Sequence, residues 1–145
     1  MNTLRTGGLV GVNMLSPAEV LTGMNVAYEM SERNDMYFTL WYGVFELSTR
    51  TLTYASGGHP PALLIGPSGV QRLSTPQLMI GGMPDIEFTD ESIVVEPGSH
   101  LFTYSDGIYE LELKGDPPMY TFDEFASVVE SLDHSDPGCL DRLIQ

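Results

Sequence analysis

The sequence predicts an α+β domain, and three observations carry that prediction. Apolar, β-favouring segments follow one another through the middle of the chain, separated by short turn sequences. A helix start signal stands on each side of that block, at Ser16-Pro17-Ala18-Glu19 and at Thr121-Phe122-Asp123-Glu124. No helix alternates with the strands, as a parallel βαβ array would need. A length of 145 residues fits one domain over 1–145.

Residues 2–14 are weakly helical, with Gly7, Gly8 and Gly11 counting against a stable isolated helix. At Ser16 a serine can cap, Pro17 suits the first helical position and Glu19 completes a capping box. Val20, Met24, Ala27 and Tyr28 then repeat at helical spacing and predict a helix over 17–31. SERND, residues 31–35, is a polar turn. Residues 36–47, MYFTLWYGVFEL, are aromatic and β-branched, a strand too apolar to have a wet face. Ser48-Thr49-Arg50 turns the chain into a second strand, Thr51 to Ser56, and the pair reads as a hairpin.

Gly57-Gly58-His59-Pro60-Pro61 breaks the pattern, and ALLI, residues 62–65, resumes it. Pro67-Ser68-Gly69 turns the chain into Val70 to Leu73. Residues 74–85, with Pro76, Gly81, Gly82 and Pro84, read as an ordered loop. A strand is expected from Phe88 to Val95, ending at Glu96-Pro97-Gly98, and the next from His100 to Ser105. Residues 114–118 are loop. Thr121 and Glu124 form a second capping box, followed by Phe122, Phe125, Val128, Val129 and Leu132 at helical spacing. After Ser135-Asp136-Pro137 a last helix begins, with Leu140, Leu143 and Ile144 on one side.

Composition excludes several classes. The net charge is −14, from 6 Lys and Arg against 20 Asp and Glu. Phosphate binding needs clustered cations, so nucleic acid and anionic membrane surfaces are not expected partners. The acids are spread along the chain, which suits a soluble protein, or one that concentrates divalent cations. No apolar stretch approaches the roughly 20 residues of a membrane span, and the glycine-rich N-terminus lacks a signal-peptide pattern. Cys139 is the only cysteine, so no intrachain disulfide forms. A cytoplasmic protein is the expectation.

The chemistry-bearing candidate is Asp106-Gly107, inside HLFTYSDGIYEL. A strand delivers Asp106, and Gly107 lets the chain turn at positive φ so that the carboxylate stands clear. Hard divalent cations take such oxygen ligands. Asp-Gly is equally a favoured type I′ hairpin dipeptide, and a turn can itself present a ligand. His59, between Gly58 and Pro60, reads as a turn residue, and His100 and His134 do not stand at ligand spacing from it. Glu110, and the group Asp85, Glu87, Asp90 and Glu91, read as solvated charge. Neither a nucleophile signature nor a phosphate-cradling glycine loop is present.

In that order the segments are similar to a known family. YFTLWYGVFELSTRTLTYASGGHPPALLI resembles the hairpin and GH-P block of the bacterial SpoIIE/RsbU-type serine/threonine phosphatases, and VVEPGSHLFTYSDGIYEL resembles their pGD…TDG block. SPAEVLTGMNVAYEM matches the helix before that hairpin, and MYTFDEFASVVESL stands where the family has its fFGeerL segment. These enzymes belong to the metal-dependent protein phosphatase (PPM) superfamily. The resemblance implies an α/β/β/α sandwich, two antiparallel sheets flanked by helices. It implies hydrolysis of phosphoserine or phosphothreonine on a protein, often a phosphorylated anti-sigma-factor antagonist. Two manganese or magnesium ions held by aspartates would activate the water. Carried over, Asp106 matches a metal-binding aspartate, Gly107 its glycine, and Gly58, His59 and Pro61 a supporting block.

The aspartates of the family's GGD-type strand, its DvsGHG segment and its closing DD-T strand are not found here, so the chain resembles the family's middle, cut at both ends. One carboxylate does not hold two cations with useful affinity. Two readings follow: part of a phosphatase domain, or a catalytically inactive PPM-like module that binds a protein. Open sheet edges would also allow a homo-oligomer.

Overall fold

The computed structural model describes residues 11–29, 37–105, 107 and 121–132. In chain order the elements are α1 (Pro17–Glu29), β1 (Leu40–Glu46), β2 (Thr51–Gly57), β3 (Ala62–Gly66), β4 (Gly69–Leu73), β5 (Glu91–Val94), β6 (His100–Phe102) and α2 (Phe122–Ser131). Among the described residues the strands form two antiparallel three-stranded sheets, β1-β2-β5 and β4-β3-β6.

The two-residue period of the strands explains the layering. Successive side chains point to opposite faces. Leu52 and Tyr54 of β2 pack with Ala62 and Leu64 of β3, Leu73 of β4 and Trp41 of β1, filling the space between the sheets. Ala55, on the other face of β2, packs with Leu40 and Tyr42 of β1 against Val20, Leu21 and Met24 of α1. Leu63 and Ile65, on the other face of β3, pack against Phe125, Ala126 and Val129 of α2. The order is therefore α1, sheet, sheet, α2, the expected α+β four-layer sandwich. Both faces of β2 are covered, which is why Leu52 and the run Tyr54–Gly57 are all buried.

Two aromatic arrangements tie the layers together. The Trp41 indole stacks on Tyr54 at 5.9 Å between centroids. Gly43 makes room for it, since a methyl group there would meet the indole. The Trp41 Nε1–H donates to the Leu73 carbonyl at 3.0 Å, from one sheet to the other. On the outer face of the second sheet, Tyr104 meets Phe125 edge-on at 4.7 Å. Arg72 pairs with Asp123 at 2.6 Å and lies 4.8 Å over the Phe122 ring, seating the start of α2 on β4.

The second capping box forms in full: Thr121 accepts from the Glu124 amide, and Glu124 accepts from the Thr121 amide. The first forms by half. Ser16 Oγ accepts from the Glu19 amide at 3.4 Å, but the Glu19 carboxylate accepts from the Asn13 amide at 3.1 Å. The Ser16 amide is already used by the Asn13 carbonyl at 3.0 Å, so the reciprocal bond has no donor. The expected strand from Phe88 begins at Glu91, because the Phe88 amide donates to Thr22 Oγ1 of α1 and its ring joins the α1 core. The strand expected over His100 to Ser105 ends at Phe102. Residues 2–10, the turn at 31–35, the loop at 114–118, the final helix and Cys139 lie outside the described residues. Among the described residues no helix is long and apolar enough to cross a membrane.

Candidate active site

The Gly57-Gly58-His59-Pro60-Pro61 block leaves β2 at the edge of the inter-sheet core. Gly57 ends the strand opposite Leu40, and Gly58 turns with φ 63°. Glycine is required there twice over. Positive φ is costly for an L side chain, and a methyl group at Gly58 would come within 3.0 Å of Met79 Cβ. The Gly58 amide donates to the Gln77 carbonyl at 2.9 Å. The corner is thus pressed against the segment that follows β4.

The segment after Leu73 is an ordered loop, as expected, and its order comes from side chains rather than a ladder. Thr75 and Ser56 bond each other through side chain and backbone, both buried. Phe38 and Ile80 exchange amide-to-carbonyl bonds at 3.1 and 2.9 Å. Gln77 Oε1 accepts from the Thr89 amide at 3.1 Å. Asn25 of α1, fully buried, accepts from the Gly81 amide at 2.8 Å and donates to the Met83 carbonyl at 3.0 Å.

His59 is half-buried, and its Nδ1 lies 2.9 Å from the Pro60 carbonyl. A carbonyl only accepts, so Nδ1 carries the proton in this bond. The next contact joins the two motif blocks. The Tyr104 hydroxyl donates to the Pro61 carbonyl at 2.6 Å. Tyr104 sits two positions before Asp106, and Pro61 two positions after His59. The β3–β6 pairing of Leu63 with Phe102, carried on by two residues, sets Pro61 opposite Tyr104. The GGHPP corner and the end of the TYS segment are therefore neighbours.

Asp106 and Glu110 lie outside the described residues. Gly107 is exposed. Asp85, Glu87, Asp90 and Glu91 are exposed, as expected, and Asp90 and Glu91 each bond another element. Asp90 accepts from the Ala18 amide at the start of α1, and Glu91 accepts from the Tyr54 hydroxyl at 3.0 Å. Burial, reinforced by Glu91, pushes the Tyr54 hydroxyl up to about 12. Among the described residues no group of three or more His, Cys, Asp or Glu could hold a metal ion. By themselves they do not fit a two-metal centre; they form a frame that holds the GGHPP corner to the end of the TYS segment.

Two residues of this frame escaped sequence reasoning. Asn25 stands in the middle of a helical apolar pattern, and a polar residue beside Leu21 on that face was the available signal. The Tyr104 hydroxyl gave no signal, because its partner is a backbone carbonyl more than 40 positions away.

A family model described as Stage II sporulation protein E (SpoIIE) matches residues 3–145. Protein IcfG of Synechocystis sp. is 34% identical over 84 residues, covering 56% of this chain and 13% of its own length. Phosphoserine phosphatase RsbU of Bacillus subtilis is 26% identical over 98 residues, covering 66% of this chain and 29% of its own length. The chain thus spans less than a third of these relatives. Among solved structures, the SiaA-PP2C domain of Pseudomonas aeruginosa superposes with a TM-score of 0.75 at 17% identity, over 98% of this chain and 55% of that one. At that identity the superposition speaks to the fold.

Proposed function

The chain belongs to the SpoIIE family, whose fold is that of the PPM-type phosphatase domain, and on that premise we propose that it carries part of a site for metal-dependent hydrolysis of phosphoserine or phosphothreonine on a regulatory protein. The observation that carries the reading is the 2.6 Å bond from Tyr104 to Pro61. It draws the GGHPP corner to the strand end that leads to Asp106, so the two blocks that resemble the family's site are neighbours in space.

In this reading Asp106 is a metal ligand, and Gly58, His59 and Gly107 support it. PPM-family phosphatases depend on manganese or magnesium. Bound ions of this kind lower the pKa of a water and offset the charge that develops on the phosphoryl group. The described residues supply the frame, and further ligands come from carboxylates outside them. The substrate is a phosphorylated protein, with an anti-sigma-factor antagonist as the proposed class, met in the cytoplasm. The acidic surface suits cation accumulation and not nucleic acid.

Phosphate release from a phosphoserine protein in the presence of manganese tests the reading. Release by the wild type that is lost in Asp106→Asn supports it, and equal release by the two removes Asp106 from the site. A second reading, a binding module that self-associates, draws on one observation. Among the described residues strand β1 lies at the edge of its sheet, with Phe45 in it and Leu47 just after it exposed. Light scattering distinguishes it: a complex without metal-dependent turnover favours this second reading.

A further inference from the structure

We infer that Asn25 is a positioning residue that couples helix α1 to the Gly58-His59 corner. The inference rests on the proposal that this corner belongs to the phosphatase site. Buried polar residues among those described are Asn25, Ser56 and Thr75. Asn25 uses its amide as a two-sided clamp, accepting from Gly81 and donating to Met83. Those two residues lie in a segment with no regular structure of its own. A loop of this kind takes its position from whatever bonds it.

The clamp belongs to a wider seat. Ala18, Thr22 and Asn25 stand at helical spacing along α1, and they engage Asp90, Phe88 and Gly81 in antiparallel order. The segment from 81 to 90 therefore lies along one face of the helix like a strap. The residues just before it, and Phe88 within it, are wedged against the corner. Methyl groups at Gly57 and Gly58 would meet Ile80 and Phe88 at 3.1 Å and Met79 at 3.0 Å. The Gly58 amide bonds the Gln77 carbonyl, in the stretch that leads into the strap. Beyond the corner, Pro61 holds Tyr104. Helix, strap, corner and strand end thus form one unbroken series of packed and bonded contacts. A shift of α1 relative to the sheet would be felt at Gly58 and Tyr104.

Hydrogen exchange read residue by residue tests this on the full chain. Asn25→Ala is expected to speed exchange at the Gly81, Ile80 and Gly58 amides on the order of tenfold, while the β3–β4 ladder keeps its wild-type protection. Asn25→Asp keeps an acceptor for the Gly81 amide and loses the donor to Met83. It should give the same selective change in smaller degree, and it carries the test if the alanine variant does not fold. Faster exchange spread evenly over both sheets, or no change at Gly58, overturns the inference. In turnover, Asn25→Ala should lower kcat and leave KM for the phosphoprotein unchanged. Full kcat in Asn25→Ala overturns the role of Asn25 and leaves the phosphatase reading standing. A wild type that releases no phosphate overturns the phosphatase reading, and the exchange pattern alone then decides on the coupling.

Discussion

Ser56 and Thr75 hold each other in a closed ring of hydrogen bonds. The Ser56 amide donates to Thr75 Oγ1 and the Ser56 hydroxyl to the Thr75 carbonyl, each at 2.8 Å. The Thr75 amide donates to Ser56 Oγ at 3.0 Å and the Thr75 hydroxyl to the Ser56 carbonyl at 3.1 Å. Ser56 belongs to β2 in one sheet, and Thr75 follows β4 in the other. The ring fastens the sheets together one step before the glycine corner.

Thr75→Val keeps the shape and removes the hydroxyl, leaving the buried Ser56 amide without its acceptor. A buried donor left unsatisfied costs about 1–3 kcal/mol, so the urea midpoint should fall accordingly. Ser56→Ala should cost a similar amount. The double variant should cost clearly less than the sum, because each single change already opens the ring. Additive losses would mean that the two residues act independently.

Tyr54 makes a pH prediction. Its hydroxyl is held in the protonated form by burial and by the bond to Glu91, with a folded pKa of about 12 against an ordinary value of 10.0. The folded state therefore keeps a proton that the unfolded state gives up first. The stability linked to Tyr54 is complete below pH 10 and is lost progressively between about pH 10 and 12. Urea midpoints measured from pH 8 to 11.5 should fall more steeply for the wild type than for Tyr54→Phe. Parallel slopes would show that the hydroxyl is not held as described.

Gly58→Ala forces an L side chain to φ 63° and against Met79. The left-handed conformation alone costs about 1–2 kcal/mol. The variant should melt lower than wild type and also lose turnover, since the displaced corner bears on Pro61 and hence Tyr104. Gly69→Ala, with φ 114° but open space around it, should lower stability and leave turnover intact. Equal effects on turnover would detach the corner from the site.

Much of this frame is legible in the sequence because strands and caps are governed by local chemistry. The hairpin of β1 and β2 follows from two β-favouring runs around Ser48-Thr49-Arg50, with Arg50 itself taking φ 56°. The Thr121 box announces α2 because both of its partners lie within four residues. Interactions that join distant segments left weaker traces. Phe88 looks like a strand residue, yet its amide and ring are claimed by α1. Glu19 looks like half of a box, yet Asn13 offers it a donor that Ser16 cannot. Of the candidate site, Gly58 was legible from its residue type, whereas Asn25 and the Tyr104 hydroxyl act through backbone partners that carry no sequence signature.

The most direct test of the central claim is the rate of phosphate release from a phosphoserine protein as manganese is titrated into metal-stripped protein, for wild type and Asp106→Asn side by side. Release should be absent without metal, rise with manganese in the wild type, and fall by about 100-fold or more in Asp106→Asn. Asp106→Asn should also need more manganese to reach half of its own maximum. Superimposable manganese curves for the two proteins would contradict the assignment of Asp106 as a metal ligand, and no release from the wild type at any manganese concentration would contradict the phosphatase reading itself.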